Sequence, residues 1–170
     1  MKIAVCGSGI ETDSLIEKKA EEIGMEIARN KRILITGGCR GYPYAALKGA
    51  LSEKGKAISY SPAKDKEEHI TKYNFPIEKD VEYIFTGLGI PERNIPLIKA
   101  ADAVILIGGQ IGTLNEFTLA FHEKKKIGVL EGSGGITELI PKISEICEKS
   151  SETDIIIYEK DPKKLVKRLT

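Results

Sequence analysis

The sequence predicts an α/β fold, a three-layer, doubly wound and Rossmann-like domain with a mostly parallel sheet of about seven strands and helices on both faces. Short apolar runs rich in β-branched residues alternate with segments of helical periodicity, which is typical of parallel strands joined by helical crossovers. Glycine-rich turns follow most of the predicted strands and should therefore gather at one edge of the sheet. A chain of 170 residues can bury one core, and we expect a single nucleotide- or phosphate-binding domain over residues 1–170.

The first sixty residues follow the order β-α-β-α-β. The predicted strands are short apolar runs at residues 2–6, 32–36 and 57–60. The helix after the first strand has its apolar side chains at helical spacing, and either Thr12 or Asp13 can cap its N-terminus. The second helix is rich in alanine and begins at about Pro43.

Residues 61–80 are polar and irregular, and we expect a loop with at most one short turn of helix, placed as a flap over a site. A fourth strand is predicted at residues 81–86, followed by a helix over 90–101 that Pro96 should kink or split. The remaining predictions are strands at 103–107, 126–130 and 154–158 and helices at 113–124, at 136–149 and after residue 161.

The strand at residues 103–107 is unbroken and apolar, as in a strand buried on both faces. A glycine turn and a helix start follow it, and together they form a phosphate cradle, because glycines let backbone N–H groups approach an anion and the helix dipole favours negative charge. A ligand should therefore sit at the carboxyl edge of the sheet. The candidate phosphate-binding residues are Gly7, Ser8, Gly37, Gly38, Gly108, Gly109, Gln110, Ile111, Gly112 and Thr113.

Three polar residues near this edge have a structural and a functional interpretation. Thr113 and Glu116 have the spacing of a capping box, and they could equally contact a ligand. Arg93 should lie near the mouth of the crevice, where it either binds a ligand or is exposed and paired with Glu92 or Glu82. The sequence leaves these alternatives open.

The remaining reactive side chains form no catalytic constellation. Cys6 and Cys39 lie near the same edge, but no histidine or acid flanks either thiol as a nucleophile would require. His69 and His122 are isolated, and Arg40 is either a phosphate ligand or a surface charge. We expect no metal and no cofactor.

Charge and hydropathy restrict the partners. Lys and Arg total 26 against 25 Asp and Glu, and a net charge of +1 argues against nucleic-acid binding. No apolar run is long enough to span a membrane, and residues 1–3 lead directly into a strand without a signal peptide. We therefore expect a cytoplasmic protein with no membrane partner.

Four motifs of the sequence match a known family: Cys6-Gly7-Ser8, Gly37-Gly38, Arg93 nine residues before Asp102, and Gly109-x-x-Gly112-Thr113-x-x-Glu116. Together they resemble the LOG-like superfamily, the proteins often labelled lysine decarboxylases. This superfamily contains the cytokinin-activating nucleoside 5′-monophosphate phosphoribohydrolases, the molybdenum-cofactor carrier proteins and, more distantly, the DNA-processing protein DprA. They occur in the right order along nearly the whole chain.

The resemblance is nearest to the carrier-type, DprA-related branch. The hydrolases carry Pro-Gly-Gly-x-Gly-Thr-x-x-Glu with an Arg-Lys pair upstream, and here Gly108, Gln110 and Asn94 replace the proline, the second glycine and the lysine. Arg93 and Glu116, which correspond to the catalytic pair of the hydrolases, are both present.

The resemblance implies three functions. The first is binding of a nucleotide or other phosphorylated ligand with hydrolysis of an N-glycosidic bond, in which Glu116 stabilises an oxocarbenium-like ribose and Arg93 holds the phosphate. The second is a non-catalytic carrier or sensor of a phosphorylated cofactor such as molybdenum cofactor, and the least favoured is single-stranded DNA handling.

A homo-oligomer, dimer or tetramer, is expected, with Phe117, Phe121 and His122 at the contact.

Overall fold

The centre of the computed structural model is a seven-stranded, fully parallel sheet of order β4-β3-β2-β1-β5-β6-β7. The structure describes residues 1–10, 13–147 and 155–170. The strands are β1 Lys2–Gly7, β2 Ile33–Thr36, β3 Ala57–Ser61, β4 Val81–Phe85, β5 Ala103–Ile107, β6 Lys126–Leu130 and β7 Ile156–Glu159. The helices are α1 Ser14–Arg29, α2 Gly41–Ser52, α3 Lys66–Thr71, α4 Ile90–Ala100, α5 Ile111–His122, α6 Ile140–Cys147 and α7 Pro162–Leu169. The predicted fold class is confirmed.

The order of the strands reverses between β1 and β5. Ile3 of β1 lies opposite Leu34 of β2 on one side and Ala103 of β5 on the other. From this point the chain extends outward in both directions, which opens a crevice beyond the carboxyl ends of β1 and β5. All five residues of β5 are fully buried because helices cover both faces of the sheet.

Two layers of helices complete the core. The side chains of α1, α2 and α7 pack on one face, around Ile23, Ala46 and Leu165. Those of α4, α5 and α6 pack on the other, around Leu97 and Phe117. The expectation that Phe117 contributes to an oligomer contact is wrong, because its side chain is 2% exposed and belongs to this core.

Several helix boundaries differ from the predictions. The segment predicted as one helix from residue 136 is a 3₁₀ turn over Gly135–Glu138 followed by α6, because Pro141 lacks an N–H and fits only the first turn of a new helix. The predicted ends at residues 148–149 and 154, and the alternative cap Thr12, lie outside the described residues. Asp13 caps α1, accepting hydrogen bonds from the amides of Leu15 and Ile16. Pro96 does not split α4, which is continuous.

Residues 61–80 contain the six-residue helix α3, and hydrogen bonds tie the segment to the rest of the fold. His69 of α3 is fully buried, and Arg40 donates from Nε to the Asn74 carbonyl over 2.9 Å. Tyr44 donates its hydroxyl proton to Glu78 over 2.5 Å. Arg40 is thus an exposed side chain that anchors this segment.

Candidate functional site

A cleft of about 280 Å³ opens beyond the carboxyl ends of β1 and β5. Eight of the residues predicted from the sequence line it: Gly7, Ser8, Arg93, Gln110, Ile111, Gly112, Thr113 and Glu116. The other lining residues, which the sequence motifs do not indicate, are Gly9, Ile10, Cys39, Phe75, Ile90 and Asn94. The cleft therefore has polar residues from α4 and α5 beside apolar walls.

Arg93 lies in the wall of this cleft, and its side chain is only 5% exposed. Its Nη1 atom is 3.8 Å from Oε1 of Glu116, and neither Nη1 nor Nε has a hydrogen-bond partner. The interpretation of Arg93 as an exposed arginine paired with Glu92 or Glu82 is therefore wrong. The guanidinium packs against Gly37, where a Cβ atom would overlap it, so Gly37 makes room for Arg93.

The helix α5 begins at Ile111, with Gln110 as its N-cap and no side-chain capping bond. Thr113 and Glu116 are therefore the third and sixth residues of the helix, and the capping-box interpretation is wrong. The backbone left-handed conformation of Gly109, with φ of 86°, turns the chain early enough to start the helix before Thr113. Both side chains are left to line the cleft.

Glu116 is buried, and this burial raises the pKa of its carboxyl group to about 7. The nearby Arg93 guanidinium and a hydrogen bond from the Cys6 thiol act in the opposite direction without overcoming it. Because its pKa is raised toward neutrality, both the protonated and the ionised form of Glu116 are accessible near neutral pH. That state permits proton transfer or proton uptake when an anion binds beside it.

The two cysteines near the cleft are not activated. Burial raises the pKa of the Cys39 thiol to about 11, and burial with the neighbouring Glu116 raises the pKa of Cys6 well above its usual value. Both remain protonated thiols, and only a thiolate is nucleophilic. Neither thiol is therefore activated as a nucleophile for covalent catalysis.

The N-terminus of α5 opens onto the cleft. Leu114 donates the first hydrogen bond of the helix, to the Gln110 carbonyl, so the amides of residues 111–113 precede it. A Cβ atom added to Gly112 would have no atom within 4 Å, and the backbone there faces open space. Amides and dipole together favour an anion at this position.

Asn94 is a polar residue of the wall that the sequence analysis noted only as a departure from the hydrolase pattern. It is 2% exposed, and its Nδ2 donates to Oδ1 of Asn115 over 2.8 Å. Its Oδ1 has no partner. The described part of the chain has four buried side-chain nitrogen or oxygen atoms without a hydrogen-bond partner. Three of them belong to Arg93 and Asn94, and the fourth is Nε of Arg32.

A second cavity of about 380 Å³ adjoins the cleft and shares Ser8 and Gln110 with it. Gly109 lines this cavity, beside Tyr42 and Ser133. Two of its polar side chains are already bonded: the Tyr42 hydroxyl accepts from the Asp13 amide, and Ser133 donates to the Leu130 carbonyl.

Several predicted residues lie apart from both spaces. Gly108 donates from its amide to Ser133 at the end of β5, and Gly38 packs against the His69 ring. His122 is exposed at the last position of α5. Within the described ranges no group of three or more His, Cys, Asp or Glu is placed to hold a metal ion, and no helix could cross a membrane.

The comparisons with known proteins agree with the resemblance drawn from the sequence at the level of the superfamily. The sequence model of the SLOG cluster4 family matches residues 1–166. An uncharacterized protein from Archaeoglobus fulgidus is 31% identical over 136 residues, which covers 77% of this chain and 80% of that protein.

Among solved structures, the molybdenum cofactor binding protein from Rippkaea orientalis superposes with a TM-score of 0.80 at 25% identity, covering 98% of this chain and 93% of that one. The molybdenum cofactor carrier protein of Chlamydomonas reinhardtii gives 0.79 at 27% identity, covering 99% and 96%. DNA processing protein A from Helicobacter pylori gives 0.68 at 21%, covering 99% and 80%, which is a likeness of fold alone.

Proposed function

This chain belongs to the SLOG cluster4 family, and we propose on that premise that it binds a phosphorylated small molecule in the cleft between β1 and β5. The observation that carries the proposal is the buried guanidinium of Arg93, whose Nε and Nη1 donors have no hydrogen-bond partner in the described part of the chain. Leaving buried donors unpaired costs about 1–3 kcal/mol each, and a bound anion would recover that cost.

The most specific form of this proposal is a carrier of a phosphorylated cofactor such as molybdenum cofactor. Proteins described as carrying or binding that cofactor are 25% and 27% identical to this chain and match over nearly its full length. The cleft is suited to such cargo, because Arg93 and the α5 N-terminus attract a phosphate while Phe75, Ile90 and Ile111 offer apolar contacts to a flat ring.

A matched pair of variants tests binding at the α5 N-terminus. Gly112→Asp and Gly112→Asn introduce side chains of equal size into open space, and a carboxylate near a helix N-terminus does not destabilise the helix. Calorimetry with inorganic phosphate, AMP and molybdenum cofactor released from a molybdenum enzyme should show binding to the unmodified protein. We expect affinity to fall at least about tenfold further in Gly112→Asp than in Gly112→Asn, because like charges repel.

Equal affinities in the two variants would place the anion elsewhere. If the unmodified protein binds none of the three probes, the proposal is wrong.

Hydrolysis of a nucleoside 5′-monophosphate is a second candidate, favoured by Glu116 lying in the cleft beside Arg93. Water would attack C1′ of the ribose as the bond to the base breaks, giving free base and ribose 5-phosphate. Glu116 would stabilise the positive charge developing on the ribose and accept the proton of the water, while the departing base takes up a proton from solvent. Arg93 would hold the phosphate.

Chromatography of AMP incubated with the protein tests this reaction. Release of adenine that disappears in Glu116→Gln would support hydrolysis. If AMP binds and no adenine is released, the hydrolase candidate is wrong and the carrier proposal stands.

A further inference from the structure

We propose that Asn94 determines the specificity of the cleft: its Oδ1 atom accepts a hydrogen bond from an N–H group on a heterocyclic ring of the bound ligand. This inference rests on the proposed function and names the ligand class more closely. The ligand would be a phosphorylated molecule that carries a nitrogen heterocycle with a hydrogen-bond donor on its edge.

The first support is the hydrogen-bonding state of the Asn94 carboxamide. The side chain is almost completely buried and lines the cleft, yet Oδ1 has no partner. Folded proteins pair nearly all of their buried polar atoms, so an unpaired one on a residue that lines a cavity points to a hydrogen bond that a ligand completes. Arg93 shows the same property, with donors instead of an acceptor that lack a hydrogen bond.

The orientation of the amide makes Asn94 an acceptor. Its Nδ2 donates to Oδ1 of Asn115 across the α4–α5 contact, over 2.8 Å. Arg93, the adjacent residue in sequence, contributes its buried cation to the wall of the same cleft. The wall therefore offers donors at Arg93 and an acceptor at Asn94, and a complementary ligand must supply an anion and a donor.

The neighbours of Asn94 indicate a ring as the source of that donor. Ile90 lies four residues before Asn94 on α4, and residues with this spacing share one helix face. Ile90 and Phe75 both line the cleft and provide apolar surface. A flat ring packed on them would present its polar edge to Asn94, whereas a sugar hydroxyl would need no such surface.

Calorimetric titration with three purine nucleotides tests the inference. AMP carries an exocyclic amine, IMP carries a ring N–H, and purine riboside 5′-monophosphate carries neither. In the unmodified protein we expect AMP, IMP or both to bind roughly 10- to 100-fold more tightly than purine riboside 5′-monophosphate, the range for one buried hydrogen bond. In Asn94→Leu this ratio should fall to about one.

Asn94→Asp serves as the conservative variant, because it keeps an acceptor oxygen at the same position. It should retain the preference among the three nucleotides while binding all of them more weakly, since its charge opposes the phosphate. If Asn94 serves only to join α4 to α5, Asn94→Leu should instead lower the affinity for all three nucleotides by the same factor. Thermal unfolding of each variant identifies any loss of fold.

Each remaining outcome overturns the inference in a distinguishable way. Equal affinities of the three nucleotides for the unmodified protein contradict it and leave the proposed function intact. If 2′-deoxy-AMP loses affinity and that loss vanishes in Asn94→Leu, the donor is a sugar hydroxyl and the assignment to a ring is wrong. If none of the three nucleotides binds, the inference is wrong, and the proposed function is decided separately by inorganic phosphate and molybdenum cofactor.

Discussion

Two buried polar clusters lie near the carboxyl edge of the same sheet, and they differ in whether their hydrogen bonds are complete. The first surrounds His69, which follows β3 in the chain. The second surrounds Arg93 and Glu116, beyond β1 and β5. Both contain ionisable side chains that are almost entirely inaccessible to solvent.

In the His69 cluster both ring nitrogens are bonded. Nε2 lies 3.0 Å from the Pro76 carbonyl and must donate to it, so Nδ1 accepts from the Ser61 hydroxyl over 2.7 Å. Burial lowers the pKa of His69, which keeps the ring neutral. The rings of Phe75, Tyr83 and Phe85 contact it edge to face. This histidine holds residues 61–80 in place.

In the Arg93 cluster the bonds are incomplete. The guanidinium reaches Glu116 only at 3.8 Å, two of its nitrogens have no hydrogen bond, and Oδ1 of Asn94 has none either. This difference indicates the roles of the two clusters. A cluster whose hydrogen bonds are complete stabilises the fold, whereas buried polar groups without hydrogen bonds in a cleft are available to bind a ligand. Four predictions test this contrast.

The largest effect is expected from Arg93→Met. Removing a charged donor from a buried contact with an anion should weaken binding of AMP or inorganic phosphate by about 2–5 kcal/mol, which is at least roughly 30-fold. Calorimetry measures the affinity. Arg32→Met is the matched control, because Arg32 also has an unpaired buried Nε but precedes β2 at the opposite edge of the sheet. An equal loss of affinity in both variants would contradict the assignment of the anion contact to Arg93.

Glu116→Gln should change the pH dependence of stability. The pKa of Glu116 rises from 4.5 to about 7 on folding, so between these values the folded state keeps a proton that the unfolded chain has released. The free energy of unfolding therefore falls as pH rises through this window, by roughly 3 kcal/mol in total. Glu116→Gln has no carboxyl group to titrate at this position, so its stability should not fall in this window. Its free energy of unfolding should equal that of the unmodified protein at pH 4 and exceed it by the full roughly 3 kcal/mol by pH 8.

Urea unfolding at pH 4, 6 and 8 measures this change. Glu92→Gln, an exposed position on α4, controls for the general loss of one negative charge. A constant difference between Glu116→Gln and the unmodified protein across the three pH values would contradict the prediction.

His69→Phe should affect stability and leave binding unchanged. The ring contacts are kept, but the Ser61 hydroxyl and the Pro76 carbonyl lose their partner, which should lower the free energy of unfolding by about 2 kcal/mol. Urea unfolding and calorimetry with AMP measure the two quantities. A loss of affinity as large as that of Arg93→Met would show that the clusters are not separate in function.

The smallest effect is expected from Gly112→Ala. A helix is less stable with glycine than with alanine at the same position, and the added methyl group would meet no atom of the protein. The free energy of unfolding should therefore rise by about 0.5–1 kcal/mol. Ligand affinity should fall at the same time. Gly24→Ala in α1 is the contrast, because there a Cβ would overlap the Ala46 carbonyl and stability should fall. A destabilised Gly112→Ala would contradict the view that this glycine serves the ligand.

The sequence predicted the sheet and the edge at which the cleft lies, because both follow from local patterns. An apolar run such as β5 and a glycine turn after it are specified by neighbouring residues. The start of α5 was misassigned for the same reason: Thr113 and Glu116 match a local capping pattern, while the backbone turn at Gly109 starts the helix earlier.

The sequence by itself determined the class of fold, the order of its elements and the glycine-rich rim where a ligand would bind. Only the tertiary structure decided that Arg93 is buried against Gly37, that Glu116 meets Cys6, and that Asn94 keeps a free oxygen. The physical reason is that periodicity depends on adjacent residues, whereas desolvation and hydrogen-bond pairing depend on atoms brought together from distant strands and helices.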